Sequence, residues 1–397
     1  MRLAVYTDYA YRRHDGAVYA ERAFALFLDA LAERLDGLTL VGRLDPRPGS
    51  SRYRLTDAVT FVPLPFYETI TRPLSAARGV AGSLRTFARA LDDADAAWLL
   101  GPHPVALLFA LVALARRKPV ILGVRQDTRA YLATRHPSRR WVRAIGELLD
   151  GAWRLLAKRA PVVVVGPEAA SHYAAAPRVL EVAISLVRDA EIAGRASRED
   201  WDAQTLDVLS VGRIDTEKNP LLLADVLALL VARDPRWRLR ICGEGPLRDQ
   251  LEQRLAELGV AGHAELLGYL PLDGGLFDAY RDSHALLHVS WTEGLPQILF
   301  EAFAAGLPAV ATDVGGIRAA VGEAVELIGA GDAEAAARAL ERLRDDEALR
   351  ARLVAAGSAQ ARAHTLEAEV GRVAEFVTAA AGGRGAGAGA RGREGAR

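Results

Sequence analysis

The chain has 397 residues, more than one ordinary hydrophobic core takes up and enough for two domains of roughly 150–200 residues each. Its 51% hydrophobic and 25% charged residues are those of a soluble globular protein, and its single cysteine, Cys242, excludes an intramolecular disulfide framework. The net charge of zero hides 27 Lys+Arg against 18 Asp+Glu in residues 1–190 and 23 against 32 in 191–397, so the two halves are expected to meet different partners.

The opening MRLAVYTD reads as a core strand rather than a charged leader with a cleavage site. Short β-branched runs then alternate with longer Ala/Leu/Arg-rich segments of helical period, which predicts α/β architecture with largely parallel sheets. In the first half the predicted strands are 3–7, 38–42, 58–62, 96–100, 119–123 and 161–166, near-continuous apolar runs suited to burial on both faces. LLFALVALA at 107–115 is too short to span a membrane, so a cytoplasmic location is expected. The second half repeats the rhythm at 206–212, 238–243, 264–268, 285–290 and 308–312, with helices at 219–233, 246–258 and 296–305. The polar stretch 185–204 separates the two series. Two doubly wound domains are therefore expected, at 1–185 and 186–380, with a helix near 366–380 packing back on the first. A Gly/Ala/Arg-rich tail at 381–397 is expected to be disordered.

Several common signatures are missing: G-x-G-x-x-G after the first strand, G-x-x-x-x-G-K-[ST], H-E-x-x-H, C-x-x-C and G-x-S-x-G. His284 and His288 are four apart on one strand face, but no carboxylate or cysteine stands at ligand spacing, so ordinary packing rather than a metal site is expected.

The chemistry concentrates in HVSWTEGLPQILFEAFAAGLPAVATDVGG, residues 288–316. A strand ends near Ser290, a loop carries Glu293, Gly294 and Leu295, and a helix opens near Pro296 and stops at Gly306. Parallel sheets bind ligands at the carboxyl ends of their strands, and a helix amino terminus there presents free N–H groups to a phosphate. Glu301 lies on an otherwise apolar helical segment, where a carboxylate is costly without a hydrogen-bonding partner such as vicinal ribose hydroxyls. A second loop, VGRIDTEKNP at 211–220, puts Gly212, Arg213 and Lys218 after a strand, two cations suited to a diphosphate leaving group. A third, CGEGPLR, offers Gly243 and Glu244 at a tight turn, and LLGYLP places Tyr269 and Leu270 where a base could rest.

These motifs, E-G-L-P-Q-I-L-F-E, G-R-I-D-x-x-K, G-E-G-P and the G-G after PAVATDV, resemble glycosyltransferase family 4 in order and spacing over roughly residues 205–320. The resemblance implies the GT-B fold, two Rossmann-like domains facing across a cleft, and a retaining, metal-independent transfer from a nucleotide sugar. It implies that Arg213 and Lys218 bind the pyrophosphate, that Glu293 contacts the sugar and that Glu301 holds the ribose.

The first half departs from the family pattern. Where a glycine-rich loop is usual, this chain offers Gly16 alone, followed by an expected helix. Where a histidine is usual after the fifth strand, it has Arg125, Gln126 and Asp127. Arg125 and Asp127 are acceptor-side candidates or a structural ion pair, and His103, in GPHP, is a further candidate or a turn histidine. The segment 139–160, basic and carrying Trp141 and Trp153, is read as a peripheral contact with an anionic membrane face or as a scaffold helix. The expected partners are a nucleotide-sugar donor and a saccharide or lipid-linked acceptor, with no nucleic acid. A GT-B-like sugar-nucleotide epimerase and a non-catalytic nucleotide binder are the alternatives.

Overall fold

The computed structural model describes residues 1–47, 49, 51–66, 73–125, 140–183, 185–192, 197–293, 295 and 297–382. By contact the chain divides into two units, Met1–Ile184 with Glu367–Arg397, and Ser185–Leu366. The described residues place nine strands in one sheet and six in another.

In the first unit β1 (Arg2–His14), β2 (Ala17–Ala20), β3 (Gly37–Leu44), β4 (Tyr53–Arg54), β5 (Val59–Leu64), β6 (Ala96–Gly101), β7 (Val120–Val124), β8 (Val162–Val165) and β9 (Val179–Val182) form the sheet. Its parallel part runs β5-β3-β1-β6-β7-β8-β9, with Leu3 between Leu38 and Ala96. Strands at the centre are apolar on both faces because helices cover both. Phe87 stacks on Phe109 with ring centroids 4.1 Å apart, and Tyr6 meets Phe109 edge-on at 4.7 Å.

One expectation fails here. Gly16 does not lead into a helix; β1 runs on past the parallel part and turns back through Asp15 (φ 46°) and Gly16 (φ 77°) into antiparallel β2. Two left-handed residues in a two-residue turn match the twist of a hairpin, and the helix, Phe24–Ala32, follows only after it. The short strands β2, β4 and β9 were not foreseen either. The closing helix Leu366–Gly382 contacts the first unit, with Arg372 donating to the Glu181 carbonyl and the Arg178 guanidinium 5.1 Å from the Phe376 ring centre.

The second unit is wholly parallel among its described strands: β10 (Leu206–Val211), β11 (Trp237–Cys242), β12 (Ala264–Gly268), β13 (Ala285–His288), β14 (Ala309–Thr312) and β15 (Glu326–Ile328), in the order β12-β11-β10-β13-β14-β15. Trp237, Leu206 and Val208 pack with Leu223 and Leu227 of the helix Pro220–Arg233 and Leu340 of the helix Ala333–Asp345. His284, fully buried at the start of β13, accepts from the Asp207 amide through Nδ1 (3.0 Å) and donates to the Asp200 carbonyl through Nε2 (3.0 Å). Burial lowers its pKa and the two bonds fix one neutral tautomer, so it is a structural residue.

Candidate donor-side site

The strand order of the second sheet reverses between β10 and β13, and the crevice beyond the carboxyl ends of those two strands is where doubly wound sheets bind ligands. After β10 the chain makes a short 3₁₀ turn, Thr216–Lys218, which Asp215 caps by accepting from the Lys218 amide at 3.3 Å. Asn219, at φ 51°, then redirects the chain into the helix Pro220–Arg233. The neighbouring loops are tied by backbone bonds: Gly212 N–H to the Cys242 carbonyl (2.9 Å), Ile214 N–H to Glu244 (2.9 Å) and Gly243 N–H to Gly268 (2.7 Å). Gly243, at φ 153°, lies so close to the Gly212 carbonyl that a Cβ would sit 1.8 Å from its oxygen, so this contact needs glycine.

The loop after β13 meets the loop after β10 through the Trp291 N–H and the Glu217 carbonyl (2.9 Å). This brings Lys218 onto Glu293. Lys218 Nζ, His288 Nε2 (2.8 Å) and Ser290 Oγ (2.7 Å) all reach one oxygen, Glu293 Oε1. Among the described residues no bond reaches Oε2. Ser290 is itself fixed from behind, its carbonyl accepting from Thr312 Oγ1 at 2.9 Å. Burial pushes the Glu293 carboxyl up, but the Lys218 charge and the His288 bond more than offset this and hold it well below the usual range. The carboxylate is therefore ionised, 8% exposed and held at one oxygen. Gly315, at φ 55°, packs on the same loop, where a Cβ would stand 2.0 Å from the Glu293 carbonyl oxygen. That explains one glycine of the G-G motif.

Glu301 lies in the helix Gln297–Ala304, is 5% exposed, and accepts from the Tyr280 hydroxyl at 2.7 Å. Burial pushes its carboxyl up to about 7, with the Tyr280 bond opposing. Arg213 is half-exposed and bridges to Asp215 and to Glu217 (3.0 Å). It lines a pocket together with Gly212, Lys218, His288 and Val289.

Residues 196–360 match the family described as glycosyl transferases group 1. The match lies within the second unit. The chain is 32% identical over 259 residues to a D-inositol 3-phosphate glycosyltransferase of Streptomyces scabiei, a match covering 60% of this chain and 57% of that one. Among the curated relatives most similar to it, the chain spans from 12% to 59% of their length. Two solved GT-B structures share the fold: sucrose-phosphate synthase of Thermosynechococcus elongatus (TM-score 0.73, 17% identity, 95% of this chain and 98% of that one) and HepE of Anabaena in complex with UDP (TM-score 0.70, 15% identity, 96% and 100%).

Within the matched segment the structure brings together Gly212, Arg213, Lys218, Gly243 and Glu293. It sets Glu301 on Tyr280. Glu244 is exposed beyond β11, while half-buried Tyr269 and Leu270 follow β12 and half-buried Leu295 follows the Glu293 loop. Gly294 lies outside the described residues. Sequence reasoning missed His288 and Ser290, which it read as ordinary strand residues, and Tyr280. The available signal was position, since His288 is the last residue of the strand on the far side of the topological switch.

The first unit has its own strand-end cluster. Arg125 after β7 bridges to Asp8 (3.2 Å) and stacks 4.4 Å above the Tyr9 ring, and Arg43 donates to the Asp8 carbonyl. Nδ1 of His103 lies 3.2 Å from the Tyr6 hydroxyl, and burial lowers its pKa, with Asp8 opposing. Gly16, at its hairpin tip, has nothing within 4 Å of its Cβ position. Asp127 lies outside the described residues.

Proposed function

We propose that the chain is a retaining glycosyltransferase, drawing on a nucleoside-diphosphate sugar and passing the sugar to an acceptor hydroxyl. The observation that carries this is the Lys218–Glu293 pair at the topological switch point of the second sheet, with Glu301 buried on the adjoining helix. A diphosphate entering beyond β10 and β13 would take Lys218 from Glu293, and Arg213 would supply a second cation. Glu293, fixed at Oε1 by His288 and Ser290, would then turn Oε2 to a sugar hydroxyl. Glu301 would accept from the ribose hydroxyls alongside Tyr280.

In the transfer step the bond between the anomeric carbon and the diphosphate oxygen breaks and the acceptor oxygen bonds to the same face of that carbon. The acceptor proton passes to the departing phosphate, whose charge Lys218 and Arg213 stabilise. No step of this scheme calls for a metal ion. The acceptor is proposed to be a saccharide, free or lipid-linked, with the first unit supplying Arg125 and His103 to it. Contact of 139–160 with a membrane would suit a lipid-linked acceptor. UDP in the HepE structure makes a uridine nucleotide the first donor to try.

Nucleoside-diphosphate release from a panel of nucleotide sugars, with and without added acceptors, tests the reading. Release that rises with acceptor and falls by about 100-fold or more in Glu293→Ala supports it. Unchanged turnover in a folded Glu293→Ala protein contradicts it.

A further inference from the structure

The outer surface of the first unit carries a feature the transfer chemistry leaves unused. Among the described residues eight large hydrophobic side chains are exposed, and seven of them lie on two helices, Pro104–Ala115 and Arg140–Ala157. Single exposed leucines scattered over a surface mean little, but a contiguous apolar face marks a contact.

The second helix shows why this face is not a by-product of core packing. Its inner face is Gly146, Asp150, Trp153 and Ala157, at spacings of four, three and four. Trp153 is fully buried there, while Asp150, bridged to Arg154, occupies a core-facing position. The opposite face carries Trp141, Ile145, Leu148 and Leu155, with Leu148 73% and Leu155 67% exposed. This stripe faces solvent and runs about 21 Å at 1.5 Å per residue. A scaffold helix would reverse the arrangement.

The two helices follow β6 and β7 in consecutive parallel crossovers, so right-handed connections place them on one side of the sheet, pointing the same way, and they touch. On this neighbouring first helix Leu108, Leu111 and Leu114 are exposed as well. Both helices end at the same edge, where Arg116, Arg117 and Lys118 follow one and Lys158 and Arg159 follow the other. Arg116 is paired with Asp92 and Lys118 donates to the Ala94 carbonyl, whereas Arg117, Lys158 and Arg159 are exposed.

We propose that this two-helix face docks on an anionic bilayer surface, its leucines and Trp141 entering the headgroup–acyl boundary and its basic edge meeting acidic headgroups. The charge selects this occupant, because a second copy would bring the same cations together. No described helix is long and apolar enough to cross a membrane, so the contact is peripheral. Docking by this face deepens the membrane contact proposed for 139–160. It needs no part of the transfer chemistry, so vesicle binding and nucleotide release fail separately.

The test is co-sedimentation of the full chain with phosphatidylcholine vesicles and with vesicles containing phosphatidylglycerol, at low and high salt. The expected result is partition onto the anionic vesicles that weakens with salt. Leu148→Glu/Leu155→Glu should lose about tenfold or more of it, and each charge removed in Arg117→Gln, Lys158→Gln and Arg159→Gln about fivefold. Circular dichroism and Tm should stay unchanged in these variants, whose positions are exposed. Equal binding to both vesicle types would overturn the proposal, as would binding that survives Leu148→Glu/Leu155→Glu. So would a dimer that the leucine variant abolishes while no vesicle binding occurs, since a second copy would then cover the face.

Discussion

Two strand-end clusters, one on each sheet, are built in different ways. In the second unit Lys218 and Glu293 come from the two loops flanking one topological switch, and backbone fixes both: Gly243 packs on Gly212, and Gly315 on Glu293. In the first unit Asp8 and Arg43 lie within β1 and β3 while His103 and Arg125 stand just past β6 and β7, and every contact in the cluster involves a side chain. A site for a constant group such as a diphosphate can be written into backbone geometry, which demands particular residues at fixed spacing. A site that reads a variable partner by side chains leaves no such pattern.

The comparison is sharpened most by truncating one carboxylate or cation in each cluster. At pH 8, where the carboxylate is ionised, Glu301→Ala should weaken nucleotide binding about 10–100-fold, the loss of hydrogen bonds to a charged group, measured by calorimetry with the nucleotide that binds. Arg125→Ala should leave the same dissociation constant within about threefold, because its partner Asp8 is partly exposed and the pair is screened. If Arg125→Ala costs as much as Glu301→Ala, the assignment of nucleotide binding to the second unit alone breaks.

Next in size is a pH effect peculiar to the second unit. Glu301 holds its proton in the folded protein up to about 7, while an unfolded chain gives it up near the ordinary 4.5. The folded state therefore binds more protons between these values, and stability falls as pH rises through that window. Above pH 7 the ionised group costs about 3 kcal/mol. Glu301→Gln keeps an acceptor for Tyr280 without the charge. Its urea midpoint should rise above that of the wild type at pH 8 and match it near pH 4.5; parallel curves at both pH values would refute the assignment. A smaller loss, of turnover rather than of binding, is expected in His288→Ala. It removes one of three donors on Glu293 Oε1 and should lower turnover about tenfold with little change in donor KM. A large rise in KM instead would mean that His288 meets the donor directly.

The sequence carried the parallel strands because burial on both faces requires unbroken apolar runs, and these survive in 206–211 and 96–101 as plainly as in the structure. It did not carry β2, β4, β9 or β15, which are short and lie away from the sheet centres, so no apolar run marks them. Lys218 and Glu293 were each placed on a loop after a strand, but the ion pair between them was not foreseen. The partners that set their chemistry were not: Tyr280 stands 21 residues from Glu301, and His288 matters only through the direction its ring takes at the end of β13. The hairpin at Gly16 was misread because the glycine was placed before the helix without its left-handed neighbour Asp15 being weighed.

The most direct test of a nucleotide site at the end of β10 and β13 is a thermal-shift titration with UDP, GDP, ADP and dTDP. Wild type and Lys218→Ala should be run side by side. At least one nucleoside diphosphate should raise the Tm of the wild type in a concentration-dependent way, and Lys218→Ala should lose most of that rise while melting as a folded protein. A rise of equal size in both proteins, or none with any nucleotide, would contradict it.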